Sequence, residues 1–103
     1  MNAVGVDDVI LLVANREQVP PRALVSPGRG SRPIGRARTL AMYLCHVGLG
    51  LSLTKVGLAF GRDRVTVHCA VVRVEDRRDD PRFDAELTAL EERLTLPAPG
   101  LAR

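Results

Sequence analysis

Aromatic side chains are nearly missing from this chain: of its 103 residues two are Phe, one is Tyr and none is Trp. A core drawn from the 46% of residues that are hydrophobic must therefore be small and aliphatic, which points to a mostly helical domain. The length suits one modest core and is too short for two. Cysteine is scarce as well, with two residues. They fall in the adjacent pairs Cys45-His46 and His68-Cys69. Neighbours on a helix point about 100° apart, and no C-x-x-C or H-x-x-x-H spacing occurs, so no metal site is expected. These four are read as buried or half-buried small residues. No Gly-rich loop ends in Gly-Lys-Ser/Thr, and Gly48 to Lys55 is only a superficial echo of one. No nucleotide and no cofactor is expected, and the chain is not read as an enzyme. Met1 to Val6 offers no charged n-region and no long apolar run follows, so no signal peptide, membrane span or membrane partner is expected. Two cysteines without a secretory signal imply a reduced, cytoplasmic protein.

What is present is centred on Ser52 to Glu75, SLTKVGLAFGRDRVTVHCAVVRVE. Ser52 can cap a helix in which Leu53, Val56, Gly57 and Phe60 follow at i, i+3, i+4, i+7, the spacing of one apolar face. Gly61 breaks that helix and Asp63 can cap the next. The following run is ambiguous. Val65, Val67, Cys69 and Val71 fit a strand, while Val67, Ala70, Val71 and Val74 fit one face of a helix. A helix is preferred because no turn residue intervenes before Pro81, a span long for a strand. Two helices about a tight basic turn make a helix-turn-helix. Arg62, Asp63, Arg64 and Thr66 then gather at the N-terminal end of its second helix, where such motifs face base edges.

Phe60-Gly61-Arg62-Asp63-Arg64-Val65-Thr66-Val67 resembles the FGGRDHTTV-x-HA signature of domain IV, the DNA-binding domain of the bacterial replication initiator DnaA. One Gly is missing, Arg64 replaces His and Val65 replaces the first Thr. Arg38 to Leu44 resembles the family's RQMAMYL helix and Ser52 to Gly57 its SLPEIG. The stretch 6–94 can be laid on the whole domain. The resemblance implies an all-α domain over residues 1–95, with about five or six helices, and the two prolines and the glycine of 96–103 read as a disordered tail. It also implies duplex DNA as partner. Arg62, Asp63, Arg64, Val65 and Thr66 would read bases: Asp63 accepting from a cytosine amino group, Arg64 reaching guanine or a phosphate, Val65 meeting a thymine methyl. The Arg64 and Val65 changes favour a site other than the initiator's own box.

The net charge of +3 is compatible with a polyanionic partner without demonstrating one. The arginines are more telling, since Arg22, Arg29, Arg32, Arg36 and Arg38 gather just ahead of the motif. Val25 to Gly35 is rich in Gly, Pro and Ser and reads as a loop without regular structure. In the family that loop sends an arginine into the minor groove. Counted back from Arg38, the matching position is Gly30, so Arg29 or Arg32 would substitute, with Arg32 preferred. Arg36 to Val47 reads as the central helix, with Ala37, Leu40, Ala41 and Leu44 inward. The resemblance implies phosphate contacts from Arg36, Arg38, Thr39, Ser52 and Lys55. His68 stands between a phosphate contact and a packing role.

Before these elements, Asp7 is read as the cap of a helix from Asp8 to Ala14 with Val9, Ile10, Leu12 and Val13 inward. Pro20-Pro21 opens one further turn that buries Leu24. After them, Phe83, Leu87, Leu90 and Leu94 form one stripe on a helix from Arg82 to Leu94, either the domain's own core or a dimer or partner surface. The reading that follows is a transcriptional regulator working with a partner protein, similar to the DnaA-like half of bacterial activators of gene transfer agent clusters. The alternatives are a replication modulator at initiator boxes, and a protein-interaction module that has lost DNA binding and works through the stripe.

Overall fold

A computed structural model describes residues 4–28 and 30–95; Arg29 and the tail expected over 96–103 lie outside the described residues. Helix α1 is Val6–Glu17, a 3-10 turn follows at Pro21–Leu24, and α2 is Arg32–Tyr43. A π-turn over Leu44–Gly48 leads to α3, Leu53–Phe60; α4 is Arg64–Arg77 and α5 is Pro81–Thr95. No strand occurs among the described residues, so the all-α reading holds, and the ambiguous run after Asp63 is a helix.

Local chemistry sets most of the boundaries. Ser52 accepts from the Lys55 backbone N–H at 3.1 Å, and Asp63 accepts from that of Thr66 at 2.8 Å, each satisfying a donor left free in a first turn. Gly61 ends α3 at φ 66°, a left-handed conformation that a Cβ would strain. The first helix is longer than its sequence suggests. Gly5, not Asp7, is its cap residue, and Asp8 reaches back to accept from the Gly5 N–H at 2.8 Å. The helix then runs on to Glu17, past the end expected at Ala14.

The largest departure is at α2, which begins at Arg32 inside the stretch expected to be irregular. Ser31 caps it and Pro33 sits in the first turn, where its missing N–H costs nothing and its fixed φ is already helical. At the other end the Leu49 N–H donates to the Leu44 carbonyl and that of Leu51 to the Cys45 carbonyl, bonds that widen the helix into a turn. His46 Nδ1 donates to the Leu51 carbonyl at 2.6 Å and pins that turn.

One core joins every helix. Val9, Val13, Leu24, Ala37, Ala41, Leu44, Val56, Phe60 and Val67 are wholly buried in it, while Leu12 is only partly covered. Phe83, Leu87, Leu90 and Leu94 belong to the same cluster at 8, 1, 7 and 7% exposure, so the stripe is core. A partner surface made of it is thereby ruled out: its side chains are already covered by the domain itself. Cys45 is buried, and desolvation pushes its thiol up to about 12. His68 and Cys69 depart from the burial expected of them, for both are exposed on the outer side of α4. Helical spacing explains this: Val67, Ala70, Val71 and Val74 take the inward face and leave residues 68 and 69 outside it.

Candidate nucleic-acid interface

The turn between α3 and α4 is tight for a stated reason. The Arg62 N–H donates to the Gly57 carbonyl at 2.9 Å, and a Cβ on Gly57 would come within 2.4 Å of the Arg62 carbonyl oxygen. Only glycine lets the turn fold back so closely on α3. Asp63 then caps α4, and its hydrogen bond from the Thr66 backbone holds the carboxyl below the usual carboxylate range. Arg64, Val65, Thr66 and His68 are exposed beyond that cap, Val65 at 67%. An exposed valine so near the start of a helix gains nothing from the core, which leaves its methyl groups free for a partner.

Arg62 is spent differently from its sequence-based expectation. Its guanidinium donates to the carbonyls of Phe60, Ser26 and Gly28, at 2.7, 3.1 and 2.7 Å. It therefore fastens the loop ahead of α2 to the turn rather than pointing outward to a base. Arg38 also turns inward. At 6% exposure it donates through Nε to the Leu24 carbonyl at 3.0 Å and through Nη2 to the Ala23 carbonyl at 3.1 Å. Burial, and then the neighbouring Arg62 charge, lower its pKa. The 3-10 turn needs donors for its last carbonyls, and Arg38 supplies them, so it braces the loop instead of reaching a phosphate.

The remaining residues of the expected set lie at the surface. Arg32 and Arg36 are exposed on the first turns of α2, and Thr39 is half-buried one turn further on. Arg29 lies outside the described residues. Ser52 is exposed but committed to its cap, and Lys55 is exposed beside it. Arg32, Arg36, Thr39, Arg62, Asp63 and Thr66 line a single open cleft of about 1240 Å³ between the loop, α2 and α4. Arg73 and Arg77 line it too, and these were not singled out from the sequence. The signal was available: they follow Thr66 by seven and eleven residues, close to whole helical turns, so the three share one face.

Residues 6–74 match the family model described as the bacterial DnaA protein helix-turn-helix. The chain belongs to that DnaA family. It is 40% identical over 88 residues to the chromosomal replication initiator protein DnaA of Thermomicrobium roseum, which covers 84% of this chain and 19% of that protein. Against the protein of the same name from Mycobacteroides abscessus it is 36% identical over 94 residues, covering 85% and 19%. The corresponding figures for Corynebacterium jeikeium are 45% over 69 residues, 66% and 12%. The chain thus spans less than a fifth of the length of these initiators. The matched part is the DnaA helix-turn-helix, a DNA-binding domain, and α3 and α4 with the Gly57-dependent turn between them are that motif here. Among the described residues no three His, Cys, Asp or Glu side chains are grouped to hold a metal. None of the helices among those residues is long and apolar enough to cross a membrane.

Proposed function

We propose that this protein binds duplex DNA sequence-specifically, with the N-terminal end of α4 in the major groove, and regulates transcription together with a protein partner. The observation that carries the reading is the division of labour at that end. Arg62 and Asp63 are engaged in shaping the turn and the cap, while Arg64, Val65, Thr66 and His68 are exposed around the first turns of α4, with Thr66 on the flank that lines a basic cleft. Arg64 can donate to guanine acceptors, Thr66 can bond to either kind of edge, and Val65 can meet a thymine methyl. The exposed Asp63 carboxylate can accept a further bond, from a cytosine amino group. Arg32 from the start of α2, and Arg29, are the candidates for the adjacent minor groove; Arg36, Thr39 and Lys55 are candidates for phosphates.

Arg64 and Val65 stand where the family signature has His and Thr, which supports a target other than the initiator's box. The likeness to the DnaA-like half of gene transfer agent activators puts promoters first. A second reading has one observation in its favour: the relatives are named chromosomal replication initiators, so the chain could occupy their boxes and compete with them. Chromatin occupancy of the tagged protein, with Arg64→Ala as control, separates the two. Sharp promoter peaks lost in the variant support the regulator. Peaks at the replication origin support the competitor, and the absence of variant-sensitive peaks sinks DNA recognition altogether.

A further inference from the structure

The cleft beside α4 has a wall that the base-reading end of the helix does not need. Taken at about 100° per residue, α4 divides into four faces. Val67, Ala70, Val71 and Val74 are buried. Val65, Cys69, Val72 and Asp76 point away from the core, and Arg64, His68 and Glu75 take one flank. Thr66, Arg73 and Arg77 take the other flank, the one that lines the cleft opposite Arg32 and Arg36 of α2. Glu75 and Asp76 thus fall on other faces, and Asp63 is the acidic residue of the cleft, at its far end near the cap. Arg73 is exposed, and Arg77 is exposed with its guanidinium 3.9 Å from the Phe83 ring centroid. Stacking on the ring holds that cation in place without neutralising it.

Geometry says what such a wall would meet. A protein that places a helix in the major groove and an arm in the adjacent minor groove straddles the sugar-phosphate strand between them. Here the loop and the start of α2 form one side of the cleft and α4 the other. Arg73 and Arg77 lie about 10 and 16 Å along the helix from Thr66 at 1.5 Å per residue, comparable to the ~12 Å width of the major groove. Side chains at that distance from the base-reading end are level with the backbone that edges the groove.

Building on the DNA-binding reading, we infer that the α2–α4 cleft is a channel for one phosphodiester strand, in which Arg73 and Arg77 bind phosphates opposite Arg36. These two residues add affinity without sequence preference, because phosphates carry no base identity. An acidic protein segment is the competing occupant, and its test outcome is stated below.

The test uses the whole chain. A duplex site is first selected from a random pool by the wild type. Binding to it is then measured by fluorescence anisotropy across a salt series for the wild type, Arg73→Gln/Arg77→Gln and Arg73→Lys/Arg77→Lys. The Gln pair is expected to bind about tenfold more weakly at physiological salt and to lower the slope of log K against log salt by about 2, while selecting the same sequence. The Lys pair keeps the charge and restores most of the slope. Thermal melts show whether losing the Phe83 contact disturbs the fold, and Arg73→Gln alone, which leaves that contact intact, lowers the slope by about 1. Unchanged affinity and slope in the Gln pair overturn the inference and leave the cleft to an acidic protein segment. An altered selected sequence overturns it too, since that marks a base contact. If the wild type selects no DNA at all, the proposed function itself fails and the channel falls with it.

Discussion

The two ends of α4 are built on opposite plans. At the C-terminal end Arg78 turns back into the protein, donating to the Tyr43 hydroxyl at 2.9 Å, Thr88 Oγ1 at 2.9 Å, Glu91 Oε2 at 3.0 Å and the Asp84 carboxylate. That one guanidinium ties α2, α4 and α5 together, and the Asp84 hydrogen bond leads the causes that raise its pKa. At the N-terminal end Gly57, the Asp63 cap and Arg62 shape the turn, while Arg64, Val65 and Thr66 are left in solvent. A closed end fixes the helix axis so that an open end can present side chains in a set direction. Rigidity and exposure are thereby separated along a single helix, and arginine serves both ends through different partners.

The comparison predicts that stability and DNA affinity respond to different residues, and the largest effect tests the base of the open end. Gly57→Ala drives a Cβ into the Arg62 carbonyl. Backbone cannot swing aside as a side chain can, so the variant should lose about 3 kcal/mol, beyond the ~1 kcal/mol that Ala gains over Gly in a helix. A melting temperature lower by on the order of 15 °C would accompany it. A melt like that of the wild type would show that the turn is not closed as described. Next is Arg78→Ala, which removes several charge-assisted bonds from a side chain 22% exposed. Solvent screening holds the loss to about 2 kcal/mol, read by denaturant unfolding, with DNA affinity per folded molecule unchanged.

Those two residues also mark where the sequence stops being informative. Ser52, Gly61 and Asp63 were legible because each acts on a backbone group within a few residues, so type and spacing suffice. The stripe of α5 was legible as a stripe, but its covering depended on the rest of the chain, and only the structure decides between core and interface. Gly57 read as an ordinary member of an apolar face, since nothing local says that the Arg62 carbonyl returns to it. Arg38, Arg62 and Arg78 were beyond reach for the same reason: their partners lie elsewhere in the chain, and a basic residue in a basic stretch looks like a surface cation. At α2 the composition misled. Gly, Pro and Ser suggest an irregular loop, yet Ser31 and Pro33 are also what a helix start requires. In the candidate site, exposure of residues 64–66 followed from the helix boundary, whereas the cleft opposite them needed α2 in its place.

A smaller effect on stability and a larger one on binding are expected at the exposed tip of the open end. Arg64→Ala should leave unfolding within about 0.5 kcal/mol of the wild type, because the side chain is exposed and the position tolerates Ala in a helix. Affinity for the selected site should fall by about 1–3 kcal/mol, with discrimination relaxed at one base pair. Electrophoretic shifts against single-base variants of the site read both. A change in melting with no change in affinity would reverse the assignment of the two ends.

The finest test separates the capping of α4 by Asp63 from the base contact proposed for it. Its carboxyl is depressed by the Thr66 hydrogen bond, so the folded pKa lies below the unfolded one. The cap's contribution is therefore fully present above the ordinary value of 3.8 and is lost as pH falls through the lower folded value. Asn caps nearly as well and does not titrate in this range. Asp63→Asn should match the wild type near neutrality and fall less steeply in denaturant-measured stability below that pH, while Asp63→Ala should be the less stable at every pH above it. Asn brings an amide donor to the proposed base contact, where the carboxylate only accepts. The Asn variant should therefore select a different base where Asp63 touches DNA, with the fold unchanged. Identical selected sequences from the two proteins would confine Asp63 to capping, leaving Arg64, Val65 and Thr66 as the readers at that end.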